Sequence, residues 1–206
     1  MDFYDLDAEQ VKEIDAEEIH LNILESKYLS QEIKKVTDKL VLEIGAGRGR
    51  ITKMILDSKP LKLTCIEKSK KTRELLKNRF NNIEVKKSLD EIYVKYNYII
   101  IVNTLVHIKN KSEVIEDIGR ILKSGGKLII SDLYQDEPLS IKDSSGKEVF
   151  QEIYKNEFGE IKNKLIDNGF KILREDKVIV DNAKAEILGK KNIGRPLTHF
   201  ILAELE

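Results

Sequence analysis

The sequence predicts a layered α/β domain on a mostly parallel sheet. Three observations predict it. Short apolar runs rich in branched residues recur along the chain, at a length suited to strands buried on both faces. Amphipathic stretches of roughly ten residues separate most of them, as crossover helices between parallel strands require. The last two runs have only a polar stretch between them, which predicts an antiparallel hairpin at one sheet edge.

Residues 16–36 place Ile19, Ile23, Leu24, Leu29, Ile33 and Val36 at mostly helical spacing, which predicts one or two short helices. The first strand is expected at 40–44, Leu-Val-Leu-Glu-Ile, ended by Gly45. A helix follows through Ile51, Met54, Ile55 and Leu56, and Pro60 marks the turn into a second strand at 61–66. The alternation continues with a helix over 70–80, a strand over 83–87 and another over 98–102. Val114, Ile115, Ile118, Ile121 and Leu122 form the next helical face, and Gly125-Gly126 makes a tight turn into a fifth strand at 127–131. A polar segment, 132–146, precedes a helix through Phe158, Ile161, Leu165 and Ile166 that stops at Asn168-Gly169. Strands at 170–180 and 198–205 finish the chain.

At 206 residues, with 41% apolar side chains, the chain has material for one domain and a sizeable core. Thirty-six basic residues balance thirty-six acidic ones, so the whole-molecule field does not favour a polyanion and nucleic acid is an unlikely partner. The balance hides an asymmetry: the first 25 residues hold nine acids and one lysine. They show no basic region followed by an apolar stretch, and no run reaches the length of a membrane span, so the expected location is cytoplasmic. The single cysteine, Cys65, cannot form an internal disulfide, and three scattered histidines have no metal-ligand spacing, so no metal is expected.

The most informative segment is Glu43-Ile44-Gly45-Ala46-Gly47-Arg48-Gly49, between a predicted strand and a predicted helix. Glycines there permit a tight turn, let a ligand approach the backbone and direct the helix amides at it. The alternative is a turn that happens to be glycine-rich. The GxGxG spacing differs from the dinucleotide GxGxxG, and no GK[ST] follows, which disfavours a P-loop. Downstream, Glu67 ends the second strand, where an acid accepts hydrogen bonds from a ribose; otherwise it is one acid among thirty-six.

From residue 39 onwards these features resemble the class I S-adenosylmethionine-dependent methyltransferases, in their small-molecule branch. The glycine segment resembles the family's first motif, Glu67 its ribose-binding acid, and Ser124-Gly125-Gly126-Lys127-Leu128 the turn before its fifth strand. The resemblance implies a Rossmann-like three-layer sandwich: a seven-stranded, mostly parallel sheet whose last strand is antiparallel and inserted beside the fifth, plus an N-terminal helical cap. The chain then divides into an acidic cap, 1–38, and a catalytic domain, 39–206. The implied cofactor is S-adenosyl-L-methionine, with its methionine part over Gly45, Ala46, Gly47 and Gly49 and with Glu43 organising water or the ammonium group. Ser88 and Leu89 match the loop that flanks adenine; many relatives carry an aspartate there, and Asp90 is the nearby alternative. Asn103-Thr104-Leu105-Val106-His107-Ile108 resembles the stretch that lines the methionine pocket, which makes Asn103 and Leu105 cofactor-binding candidates.

Methyl transfer to an oxygen or a protonated nitrogen needs a place for the proton. His107, at the end of the fourth strand, is the candidate base; the alternative is a packed histidine. His199 reads as structural or as a rim residue, and His20 lies on the front helix that in relatives closes over the cofactor. Tyr134, Phe150 and Tyr154 are candidate walls of a substrate lid or core residues, and Phe3 and Tyr4 could anchor the acidic arm. Arg48 and Arg50 could meet a carboxylate or form an exposed salt bridge. The run Lys68, Lys70, Lys71, Arg73, Lys77 and Arg79 is a basic patch or a solvated helix face. It keeps an RNA methyltransferase as a rival, since residues 41–80 also resemble ribosomal RNA adenine dimethyltransferases. Those use asparagine, an apolar residue, proline and an aromatic, whereas this chain has Asn103-Thr104-Leu105-Val106. A second rival is a non-catalytic partner subunit on the same fold. A small-molecule or short peptide acceptor is the preferred reading, with the oligomeric state open.

Overall fold

The structure is a computed structural model that describes residues 25–134, 140–142, 148–150, 152–182, 184 and 193–206; side chains are described throughout these except at 140–142, 148 and 149. The elements in order are α1 (Lys27–Ile33), β1 (Leu40–Ile44), α2 (Arg50–Asp57), β2 (Lys62–Ile66), α3 (Lys70–Arg79), β3 (Ile83–Lys86), β4 (Tyr96–Val102), α4 (Lys111–Ile121), β5 (Leu122–Leu133), β6 (Ser140–Lys142), β7 (Glu148–Phe150), α5 (Phe158–Asp167), β8 (Phe170–Ile179) and β9 (Pro196–Leu205). Seven strands form one sheet in the order β3-β2-β1-β4-β5-β9-β8. Neighbouring strands from β3 to β5 pair in parallel, whereas β9 is antiparallel to both β5 and β8. The layered sheet and the edge hairpin are thus as the sequence predicts.

Alternating side chains of the central strands feed two cores, one on each face of the sheet. Leu42, Ile44, Ile99, Ile101, Leu128 and Ile130 pack under α4 and α5. Val41, Leu63, Cys65, Ile100 and Ile129 pack with Ile51 and Ile55 of α2 and Leu76 of α3. Burial on both faces explains why these strands read as unbroken apolar runs.

Three expectations change. Leu29, Ile33 and Val36 are at most 2% exposed and belong to the second core, so the described part of the expected cap is built into the main domain. Ser26 Oγ donates to Asp176 Oδ2 at 2.6 Å, and Arg174 stacks its guanidinium 4.2 Å from the Tyr28 ring centre, tying α1 to β8. Residues 1–24, with Phe3, Tyr4 and His20, lie outside the described residues. Second, β5 begins at Leu122 instead of Lys127: its pairing jumps from Tyr96↔Leu122 to Tyr98↔Lys127, so the Gly125-Gly126 turn is an extrusion within the strand. Third, a small hairpin, β6 paired with β7, forms in the stretch expected to be polar connection and lid.

The sheet order reverses between β1 and β4. Chains leaving the carboxyl ends of these two strands diverge, and the crevice between them is where open α/β sheets bind ligands.

Candidate active site

The loop after β1 forms one wall of that crevice. Gly45 N and Ala46 N both donate to the Ile66 carbonyl, at 2.9 and 3.1 Å, which turns the chain over the end of β2. Gly45 and Gly47 take φ of +76° and +52°, in the left-handed region that L side chains rarely adopt. Their surroundings differ. A Cβ on Gly45 would lie 2.1 Å from Thr104 Oγ1, whereas a Cβ on Gly47 would meet nothing within 4 Å. The first glycine lets the two walls touch; the second borders open space. Gly49 is the N-cap of α2, whose opening turn has neither a side-chain cap nor an acid.

Glu67 closes the loop from the β2 side. It is 7% exposed, with Oε2 accepting from Gly47 N at 2.9 Å and Oε1 from Ser69 N at 2.8 Å. Burial raises its pKa above the usual carboxylate value, against the pull of those two amides and of the Arg73 charge.

Glu43 sits beneath the loop. Its Oε2 accepts from Thr52 Oγ1 at 2.6 Å and from Cys65 Sγ at 3.6 Å, bracing α2 against β2. The described bonds through Oε2 make Glu43 a support under the loop. Burial pushes its pKa up to about 7, despite the Thr52 and Cys65 bonds and the nearby Arg50 charge.

The second wall follows β4. Asn103 has φ of +49°, and its N–H donates to the Ser131 carbonyl at 2.9 Å. Its side-chain Oδ1 is buried without a partner, an acceptor left for something else. Thr104 lies against Gly45, Leu105 is fully buried, and His107 ends a short 3-10 turn. The Glu152 carbonyl lies 3.1 Å from His107 Nδ1. A carbonyl only accepts, so Nδ1 carries the proton and Nε2 is the basic nitrogen. Ser88 and Leu89 lie just after β3; Ser88 Oγ donates to Asp90 Oδ2 at 3.4 Å, and Leu89 packs on the first core.

Asp132 holds this wall, and sequence reasoning missed it. It is fully buried at the end of β5, with Oδ2 accepting from Thr104 N at 2.7 Å and Leu105 N at 2.6 Å. The signal available was an acid two residues after the buried run Leu128-Ile129-Ile130, beyond Ser131.

Several other candidates are engaged by the protein. Arg50 pairs with Glu25 at 2.5 Å with both side chains largely buried, instead of forming an exposed bridge. Arg73 donates to the Glu67 and Lys68 carbonyls and Arg79 to the Arg48 carbonyl, so two members of the basic patch tie the loop down. His199 is 2% exposed: Nε2 donates to Glu175 Oε1 at 2.8 Å, and Nδ1 accepts from Tyr134 Oη at 2.5 Å. This is a structural histidine, with Tyr134 packed on it and on Phe158. Phe150 is 60% exposed, and Tyr154 Oη donates to Glu152. A groove of about 470 Å³ opens between α4 and α5, lined by Lys109, Lys111, Tyr154, Glu157 and Ile161, and not by the glycine loop. Among the described residues, no group of three His, Cys, Asp or Glu is placed to hold a metal ion, and no helix is long and apolar enough to cross a membrane.

Residues 42–128, from β1 through the start of β5, match the family model of a methyltransferase domain. Over these residues the chain is similar to the methyltransferase domain family. The chain is similar in fold to an S-adenosylmethionine dependent methyltransferase from Mesorhizobium loti, with a TM-score of 0.65 at 15% identity, over 82% of this chain and 92% of that one. It is also similar to the magnesium protoporphyrin IX methyltransferase of Synechocystis with bound S-adenosylmethionine, with a TM-score of 0.62 at 15% identity, over 94% and 81% of the two chains. A curated relative, the ribosomal RNA small subunit methyltransferase A of Pelagibacter ubique, is 45% identical over 60 residues. That segment is 29% of this chain and spans 22% of the relative's length.

Proposed function

We propose that this chain transfers the methyl group of S-adenosyl-L-methionine to a nucleophile on a small molecule or a short peptide end. The observation that carries the proposal is the open space over Gly47, faced by the buried carboxylate of Glu67 at the topological switch point. A glycine whose missing side chain leaves room for no part of the protein fits a cofactor laid along the backbone. The buried, unpartnered Asn103 Oδ1 fits a ligand donor on the opposite wall.

In this reading Gly45, Ala46, Gly47 and Gly49 hold the methionine part, Glu67 accepts from ribose hydroxyls, and Ser88 and Leu89 flank adenine. Leu105 and Asn103 line the second wall. When bound, the cofactor supplies an electrophilic methyl group on a positively charged sulfur. The chain's own task is to orient the acceptor, exclude water and take up a proton, for which His107 Nε2 is the proposed base. The residues from Glu25 onwards belong to the proposed catalytic unit, because α1 is part of its core. A cytoplasmic location belongs to the same proposal and rests on the sequence alone.

The name of the curated relative favours RNA as a second reading, through the shared 60 residues. Against it stand the backbone bonds of Arg73 and Arg79 and the absence of proline and an aromatic after Asn103. Calorimetry with S-adenosylmethionine and S-adenosylhomocysteine tests the site, and incubation of the enzyme and radiolabelled cofactor with a nuclease-treated metabolite extract or with purified ribosomal RNA tests the acceptor. Label in small molecules supports the proposal and label in RNA turns it to the second reading. Binding without label in either fraction matches a non-catalytic subunit, and no binding overturns the cofactor.

A further inference from the structure

We propose that Asp132 and Asn156 form a strut that couples the turn after β4 to the segment leading from β7 into α5, so that Asp132 is a positioning residue for both sides of the site. The inference rests on the methyltransferase reading, because it takes the turn after β4 as a cofactor wall.

The two segments it joins, 103–108 and 152–157, lie outside the main sheet and the α-helices, so no strand ladder or helical ladder fixes one against the other. Side-chain and loop bonds do so instead. Asp132 Oδ2 takes the Thr104 and Leu105 amides, while Oδ1 takes Leu133 N at 2.9 Å and Asn156 Nδ2 at 3.0 Å. Asn156 is 2% exposed and spends its second Nδ2 hydrogen on the Leu133 carbonyl at 3.1 Å. Tyr154 N donates to the Val106 carbonyl at 2.6 Å, and His107 Nδ1 donates to the Glu152 carbonyl. Lys111 Nζ reaches both the Ile108 and the Tyr154 carbonyls, at 3.0 and 2.8 Å.

One buried carboxylate thus receives donors from the end of β5, from the cofactor wall and from the residues that follow the β6–β7 hairpin. Only a carboxylate can do this. A neutral amide at 132 has a single acceptor oxygen and would turn its own N–H groups towards one pair of donors. The turn is also pinned on its far side, where Thr104 packs on Gly45. A ligand seated on the loop therefore presses on a turn whose displacement passes through Asp132 and Asn156 to residues 152–157. Those residues connect to the hairpin that occupies the expected substrate lid.

Hydrogen exchange with S-adenosylhomocysteine as the probe tests the strut. In the wild-type protein, binding should slow exchange at 103–107 and also at 152–157. Asn156→Ala should bind the probe within twofold of wild type and keep the slowing at 103–107 but lose it at 155–157, while the direct Val106–Tyr154 and His107–Glu152 bonds still tie 152–154 to the turn. Asp132→Asn should weaken binding about tenfold, the scale of losing hydrogen bonds to a charged group, and should likewise abolish the slowing at 155–157. A merely structural role would lower the melting temperature of either variant without changing which segment the ligand protects. Should Asp132→Asn fail to fold, Asn156→Ala decides alone. Slowing that still reaches 155–157 in Asn156→Ala, or that never reaches 155–157 in the wild-type protein, overturns the strut while leaving the cofactor site standing. A wild-type protein that binds no probe overturns the methyltransferase reading instead, and the strut with it.

Discussion

The two walls of the crevice are built in opposite ways. The glycine loop is made of consecutive residues, and its shape follows from left-handed backbone angles and amides bonded to Ile66 and Glu67. The wall after β4 is short and irregular, and a carboxylate on β5 holds it. The first wall is preformed locally; the second depends on distant parts of the chain folding first. Recognition of a common cofactor suits a wall of backbone, which side-chain drift alters little. A wall held by side chains can be retuned by changing what it is tied to, which suits the side proposed to meet the acceptor as well as the cofactor.

Substitutions at the walls separate these two constructions, ranked by their effect on cofactor affinity. Gly45→Val acts at the seam, where a Cβ at a φ of +76° would lie 2.1 Å from Thr104 Oγ1. Left-handed strain and overpacking together should destabilise the domain by about 3 kcal/mol. Guanidinium unfolding should show that loss, with calorimetric cofactor binding undetectable. Gly47→Leu acts on the loop alone. With nothing within 4 Å, the side chain costs only the strained φ, about 1 kcal/mol, yet it fills the proposed ligand space. Affinity should fall at least a hundredfold with a near-native unfolding midpoint, and unchanged affinity would remove the cofactor from the loop.

The same contrast governs what was legible in the sequence. The sheet, its edge hairpin and the glycine loop were readable because each is local: apolar runs mark strands, and Gly45, Gly47 and Glu67 lie at fixed offsets from strand ends. Asp132 was not, since its partners are residues 104, 105, 133 and 156, and no spacing rule links them. For the described part of 1–38, helical periodicity reveals an apolar face but not which core it joins; Leu29 and Ile33 cover the same face as Phe200. Arg73 and Arg79 read as a basic patch because a sequence shows charge but not the carbonyls that consume it.

Glu43 offers a third test, beneath the loop. Its pKa rises from 4.5 to about 7 in the folded protein, so between these values the native state holds a proton that the unfolded chain has released. The protonated, buried form is the favourable one. Stability should therefore fall as pH rises from about 4.5 to 7, by about 3 kcal/mol in all from this group, and then level off. Glu43→Gln keeps an acceptor for Thr52 without an ionisable proton and should flatten that part of the curve of unfolding free energy against pH. Cofactor affinity should change less than tenfold, because the carboxyl acts through α2. Parallel curves for the two proteins would show that Glu43 carries no such linkage.

The smallest effect on affinity is expected at His107, which belongs to the second wall. The Glu152 carbonyl assigns the proton to Nδ1 and leaves Nε2 to accept one, the tautomer a general base needs. His107→Ala should leave cofactor affinity within twofold, since the proposed cofactor contacts come from the loop, Glu67 and the backbone around Asn103. Turnover on the acceptor should drop at least tenfold, towards the scale of roughly a hundredfold or more that a positioned base contributes. The loss should be steepest where the acceptor's own proton is held most tightly, so raising the pH should recover part of the rate. Equal turnover in both proteins across that range would make His107 a clasp for residue 152, and the second wall would then position the acceptor without taking its proton.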